Sequence, residues 1–211
     1  MFVPAEEDPH EATIMQWPNS RAVYDDPVFL RMTQDTIAKI ANTISEFEPV
    51  VMLAPAAERS RMGRISDKVE IWDIPTEDLW ARDSGPLFAW QGDNLVVSQI
   101  QFNGWGAKQI HQRDGQVAKA IAGRLNLPFI PSGLHGEPGG AEHDGNGLLI
   151  AHESSWVNKN RNRVGRDEIT RRMCAAVGAK EVIWAPGVKG EDITDYHIDS
   201  LLRFVKPGVV L

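Results

Sequence analysis

Three times along the chain an amphipathic helix is followed at once by a short apolar run, and this alternation limits the fold more than any other feature of the 211 residues. In the first unit Asp26 offers an N-cap oxygen and Pro27 presets the first turn. Ile37, Ile40, Ile44 and Phe47 then recur at helical spacing before Val50-Val51-Met52-Leu53. In the second, Val117, Ile121 and Leu125 lead into Pro128-Phe129-Ile130; in the third, Ile169, Met173, Ala176 and Val177 are stopped by Gly178 before Val182-Ile183-Trp184. Further strand-like segments lie at Leu87 to Trp90 and Leu95 to Phe102, around the turn Gln91-Gly92-Asp93-Asn94, at Gly147 to Ala151 and at Leu201 to Val205. Helices alternating with strands, with no low-complexity linker between them, predict an α/β fold of repeated helix-and-sheet units. Gly208-Val209-Val210-Leu211 reads as half of a strand or hairpin with nothing to pair it, so the fold is expected to be incomplete at its carboxyl end.

The balance of charges narrows the partners. Lys and Arg number 22 against 29 Asp and Glu, a net charge of −7. That argues against a general nucleic-acid binder, which needs a surplus of cations on one face. A small cationic substrate suits it better. Cys174 is the only cysteine, so there is no disulfide framework, no cysteine-based zinc site and no iron–sulfur cluster. No segment approaches a membrane-spanning length, and Met1 to Glu11 is acidic without an apolar stretch; a cytoplasmic protein with no membrane partner is expected.

Four polar clusters interrupt the apolar pattern just outside the expected strands, where binding residues on a rigid scaffold collect. The first is Asp78-Leu79-Trp80-Ala81-Arg82-Asp83-Ser84-Gly85-Pro86, which by itself reads as a turn. The second, Phe102-Asn103-Gly104-Trp105-Gly106, reads as packing around a glycine turn. The third, Gly136 to Gly145, gathers Glu137, Glu142, His143 and Asp144 in a loop that glycines leave free to approach a ligand. The fourth is Asp192-Ile193-Thr194-Asp195-Tyr196-His197-Ile198-Asp199. If Tyr196 to Asp199 is already extended, His197 and Asp199 project to one side, an acid/base beside an anionic anchor.

Several carboxylates, a histidine and a tryptophan fit a planar cation, because a guanidinium is gripped by paired carboxylates through charge-assisted bonds and attracted to an aromatic face. The same inventory fits a metal-dependent hydrolase drawing ligands from His143, His197, Asp144, Asp199 and Glu137, and also a binding module without catalysis.

Over essentially its whole length the sequence resembles the agmatine deiminases and the related bacterial-type peptidylarginine deiminases of the guanidine-modifying, or pentein, superfamily. The resemblance rests on His10-Glu11 with Trp17-Pro18, Trp80 to Pro86, Phe102 to Gly106, Asn158-Lys159-Asn160-Arg161-Asn162, and Asp195 to Asp199 with the trailing Arg203 to Gly208. It implies an α/β-propeller of ββαβ units around a central site, of which 1–211 would form the amino-terminal part of a single domain. It also implies hydrolysis of a guanidinium with release of ammonia, in the first place agmatine to N-carbamoylputrescine in polyamine biosynthesis, with peptidylarginine or arginine as alternatives. No metal or organic cofactor is implied; association into a homo-oligomer stays open. By the same resemblance Asp83 and Asp199 grip the guanidinium, His197 is the acid/base, Glu137 is a second catalytic carboxylate, Trp80 lines the substrate channel, and Asp195 belongs to the substrate-binding set. Three positions depart from the pattern: Pro138 replaces a glycine, Glu142 stands where a histidine is usual, and Tyr196 replaces the glycine before His197. The family's nucleophilic cysteine lies in a glycine-rich motif beyond the equivalent of Leu211. Cys174, inside an expected helix beside its apolar stripe, reads as an inert packed thiol, and this chain alone is expected to be inactive.

Overall fold

The computed structural model describes all 211 residues, Met1 to Leu211. Contacts divide the chain into two compact units: one of residues 9–81 and 110–117, the other of residues 1–8, 82–109 and 118–211.

In the smaller unit β1 (Thr13–Gln16), β2 (Val50–Ala54) and β3 (Val69–Asp73) form a parallel sheet with β2 in the centre, paired Thr13 with Val50 and Val50 with Val69. A central parallel strand is covered on both faces, and every residue of β2 is buried, which is why it reads as an unbroken apolar run. Helix α1 (Pro27–Ile44) is capped as expected, with Asp26 Oδ1 accepting from the Val28 amide at 2.7 Å. Its buried residues are Leu30, Ile37, Ala38 and Ala41. The stripe expected through Ile40 and Phe47 is therefore rotated: Ile40 faces outward, and Phe47 lies past the helix end, exposed, because the small Ala38 and Ala41 let α1 sit close to β2. Two loops clasp each other here. Asp114 accepts the amides of Glu77 and Asp78 at 2.8 and 3.1 Å, and Glu77 accepts those of Arg113 and Asp114 at 3.1 and 3.4 Å.

The larger unit contains the same pattern twice. An antiparallel pair, β4 (Leu87–Gln91) with β5 (Asn94–Gln101), is followed by α2 (Val117–Leu125), which enters this unit at Ala118, and by β6 (Phe129–His135), parallel to β5. Then β7 (Ala141–His143) pairs antiparallel with β8 (Leu148–His152), α3 (Arg166–Val177) crosses over, and β9 (Glu181–Ala185) lies parallel to β8. Each half is thus a ββαβ unit, and the helix is the crossover that a parallel pairing requires. The stripe Ile169, Met173, Ala176 and Val177 is buried as its spacing predicts, and Ile169, Met173 and Val177 join Ala89, Val96, Ile100, Leu134 and Leu149 in one core. Gly178 ends α3 at φ 82°, with its amide on the Cys174 carbonyl at 2.8 Å.

Two sequence expectations fail near the carboxyl end. The strand expected from Leu201 to Val205 is reduced to β10 (Phe204–Lys206), because residues 198–200 form a 3-10 turn. The terminal segment is also paired: β11 (Val209–Val210) folds back antiparallel on β10 around Gly208, so the local hairpin supplies the partner thought missing. No helix is long and apolar enough to cross a membrane.

Candidate active site

All of the close geometry lies within the larger unit. His197 precedes the turn at 198–200, is 5% exposed, and places Nε2 3.1 Å from Glu137 Oε2 and Nδ1 3.8 Å from Asp83 Oδ1. An ionised carboxylate only accepts, so in the contact with Glu137 the proton sits on Nε2. Pro138 begins a buried turn, residues 138–140, directly after Glu137. That turn brings Gly139 to the point where the other groups converge. A β-carbon on Gly139 would lie 2.6 Å from Asp83 Oδ1, 2.8 Å from Asp199 Oδ2 and 3.0 Å from His197 Nδ1. Two carboxylates and an imidazole thus face one small space that exists because residue 139 has no side chain.

His197 and Asp199 meet there without the strand alternation considered from sequence; the 3-10 turn after a left-handed Tyr196 brings them round. Asp83 is held from behind by Trp105 Nε1, which donates to Oδ2 at 3.0 Å, and Trp105 stands edge-on to Phe102 with ring centroids 5.0 Å apart. The second polar cluster is thus more than packing: it orients a site carboxylate.

The electrostatics follow from burial and crowding. Burial, with the charges of Glu137 and Asp199 adding to it against His197 and the Trp105 bond, pushes Asp83 up to about 6. For His197 burial alone would lower the pKa. The bond to Glu137 and the charges of Asp83, Glu137 and Asp199 together outweigh it and hold the imidazole above its ordinary value. Glu142, 5% exposed, is pushed up to about 7 by burial, which outweighs the nearby Arg82. It stands 3.0 Å from Arg203 Nε.

Arg161 carries a central function that composition and motif spacing did not assign. Its buried side chain donates through Nε to both Glu137 oxygens at 3.0 and 2.9 Å and through Nη1 to Asp195 Oδ2 at 2.8 Å; Nη2 reaches the Thr194 carbonyl at 3.0 Å. Asp195 also receives Lys108 Nζ at 2.8 Å, Asn160 Nδ2 at 3.3 Å and the Gly190 amide at 3.0 Å. Burial would raise it, but these donors hold its carboxyl down at about 2. The signal for Arg161 was present in Asn158 to Asn162, a dense polar run, yet nothing local names its partners.

The profile of the Porphyromonas-type peptidyl-arginine deiminases matches residues 2–211. The chain belongs to this family. Agmatine deiminases of Stutzerimonas stutzeri and Ectopseudomonas mendocina are 32% and 33% identical to it, over 100% and 99% of this chain. The chain spans 59% of the length of each of these relatives. The structure of agmatine deiminase of Enterococcus faecalis matches with a TM-score of 0.88 at 22% identity, covering 99% of this chain and 59% of that one, a likeness of fold. The ββαβ units described above are accordingly those of a pentein α/β fold.

Against the family pattern, five of the residues read from sequence, Asp83, Glu137, Asp195, His197 and Asp199, are gathered in one unit. Trp80 belongs to the other unit and is 51% exposed. His143 and Asp144 serve the turn after β7: Asp144 Oδ1 accepts from Asn146 and Leu148 at 2.8 and 2.9 Å, and Oδ2 accepts from Gly208 at 3.2 Å. Cys174 lies on α3, half-buried, with its thiol pushed up by burial.

Proposed function

We propose that the natural protein in which these residues occur is a guanidinium hydrolase that releases ammonia, with agmatine as its substrate, and that residues 1–211 are the amino-terminal part of its single catalytic domain. The observation that carries this reading is the convergence of Asp83, Asp199 and His197 beside Gly139. Two carboxylate oxygens match the N–H fork of a guanidinium, and the imidazole stands where a proton must move. The names of the similar deiminases support the same substrate class.

The chemistry needs a thiolate, which Cys174 does not supply from its helix. Addition forms a bond from sulfur to the guanidinium carbon. Its C–N bond then breaks as His197 gives a proton to the departing ammonia, leaving a thiouronium. Water adds next, its proton passing to His197, and breakage of the C–S bond yields the ureido product and frees the thiolate. Asp83 and Asp199 hold the cation through both steps. Glu137, anchored by Arg161, keeps the imidazole in place. Asp195 acts in this reading through Arg161 and Lys108.

The test is ammonia release by the natural protein from agmatine, free arginine and an arginine peptide. Turnover of agmatine above the other two is expected; no ammonia from any of them refutes the reading. The 211-residue chain by itself is expected to release none. Asp83→Asn removes a charged acceptor from a buried cation site and is expected to weaken agmatine binding or transition-state stabilisation by about 2–4 kcal/mol. Steady-state kinetics check it, and near-normal kcat/KM would take Asp83 out of the site. Gly139→Ala should have a comparable effect without loss of the fold, because its methyl group would force the buried Asp83 oxygen and the partly exposed Asp199 oxygen apart. Calorimetric titration with agmatine, beside a far-ultraviolet spectrum, distinguishes this from unfolding.

A further inference from the structure

Two residues directly before His197 adopt the left-handed backbone region without being glycine: Asp195 at φ 60° and Tyr196 at φ 73°. Such a turn persists only where its surroundings over-determine it. Asp195 is fixed by the four donors to its carboxylate and by Ser154 Oγ, which donates to its carbonyl at 2.7 Å. Tyr196 is fixed differently. Its ring lies flat on that of His152, with centroids 5.0 Å apart and planes at 4°, and its carbonyl is 2.7 Å from His152 Nδ1. A carbonyl only accepts, so Nδ1 of His152 carries the proton. His152 is 2% exposed and ends β8, where it pairs with Ala185 of β9, so the grip comes from a rigid sheet.

We infer that His152 is a positioning residue for His197: by the ring stack and the Nδ1–H bond it holds Tyr196 in the left-handed turn that presents the imidazole to Glu137 and Asp83. Tyr196 stands where a glycine usually precedes the histidine in the pattern the sequence resembles. Glycine adopts positive φ without strain, and a tyrosine needs an external clamp. The consequence for turnover rests on the reading of His197 as acid/base; the geometry does not.

The test follows the His197 imidazole by nuclear magnetic resonance titration in the 211-residue chain, where Glu137, Asp83, Asp199 and Asp192 are the ionisable groups that act on it. His152→Phe keeps a ring and removes the donor; it is expected to lower the His197 pKa toward that of free imidazole as the ring slips from its carboxylates. Tyr196→Gly alone is expected to leave the titration as in the native chain. The double variant is expected to recover the native titration, which no loss of general packing at residue 152 would do. In the natural protein His152→Phe should lower kcat by roughly 10- to 100-fold, the effect of a misplaced catalytic group, with a smaller change in KM. An unchanged titration in His152→Phe, or a double variant that titrates like the single one, overturns the inference. Should His152→Phe not fold, His152→Leu, which removes both the ring and the donor, enters the same comparison with Tyr196→Gly under the same criteria. Absence of ammonia release from every form would count against the deiminase reading alone, since the titration requires no turnover.

Discussion

His197→Ala in the natural protein is expected to slow ammonia release from agmatine by about 100- to 10,000-fold, the usual contribution of a positioned general acid/base. The imidazole stands beside the Gly139 space and can both give and take a proton near neutral pH. Agmatine affinity should change much less than turnover, because the cation is held by Asp83 and Asp199. Their contacts with the space do not pass through the histidine. The same residue makes a prediction for stability. Its pKa is raised in the folded chain, so the stabilisation it draws from Glu137 and Asp83 is fully present below the unfolded value of about 6.5 and is lost as pH rises through the higher folded value. Denaturant unfolding of the 211-residue chain between pH 5 and 9 (a range of roughly two units on either side of neutrality) should show that decline in the native chain and less of it in His197→Ala. Unchanged catalysis in the variant would leave His197 as no more than a tie for its own loop.

Arg161→Leu is expected to cost about 3–5 kcal/mol of stability, the effect of breaking a buried ion pair from one side. The guanidinium is the shared partner of two buried carboxylates. Without it Glu137 keeps only His197 among its charged partners, and Asp195 keeps Lys108. Arg161→Lys should recover part of the loss, since an ammonium restores the charge but cannot reproduce donation to both Glu137 oxygens and to Asp195 together. Denaturant midpoints of the three chains provide the measurement. A loss below about 1 kcal/mol, the level of an exposed pair, would show that Arg161 does not tie Glu137 to Asp195.

Much of the fold was readable because it is locally encoded. The Asp26-Pro27 start, the Gly178 stop and the buried stripe of α3 are set by residues within a few positions of one another, and the structure places them as their spacing predicts. The errors fall where the decision is not local. Ile40 and Phe47 carry the right period, but the face that α1 buries was chosen by the close approach of Ala38 and Ala41 to β2. Leu201 to Arg203 has strand-like composition, yet the turn at 198–200 and the pairing of β10 with β11 leave only Phe204–Lys206 extended.

The site divides in the same way. Asp83, Glu137, His197 and Asp199 could be picked out as polar residues breaking an apolar pattern, and the resemblance attached roles to them. What the sequence by itself determined is therefore the α/β repeat and the inventory of groups able to meet a guanidinium. Only the tertiary structure decided which of those groups are already spent. Asp195 and Glu137 are paired through Arg161, whereas Asp83 and Asp199 are turned toward Gly139. Glu137 and His197, separated by 60 residues, meet in a space from which water is largely excluded. The physical reason is range: helical period and capping act over one or two turns of chain, while the pairing and desolvation of a charge depend on whatever distant segments the fold packs around it.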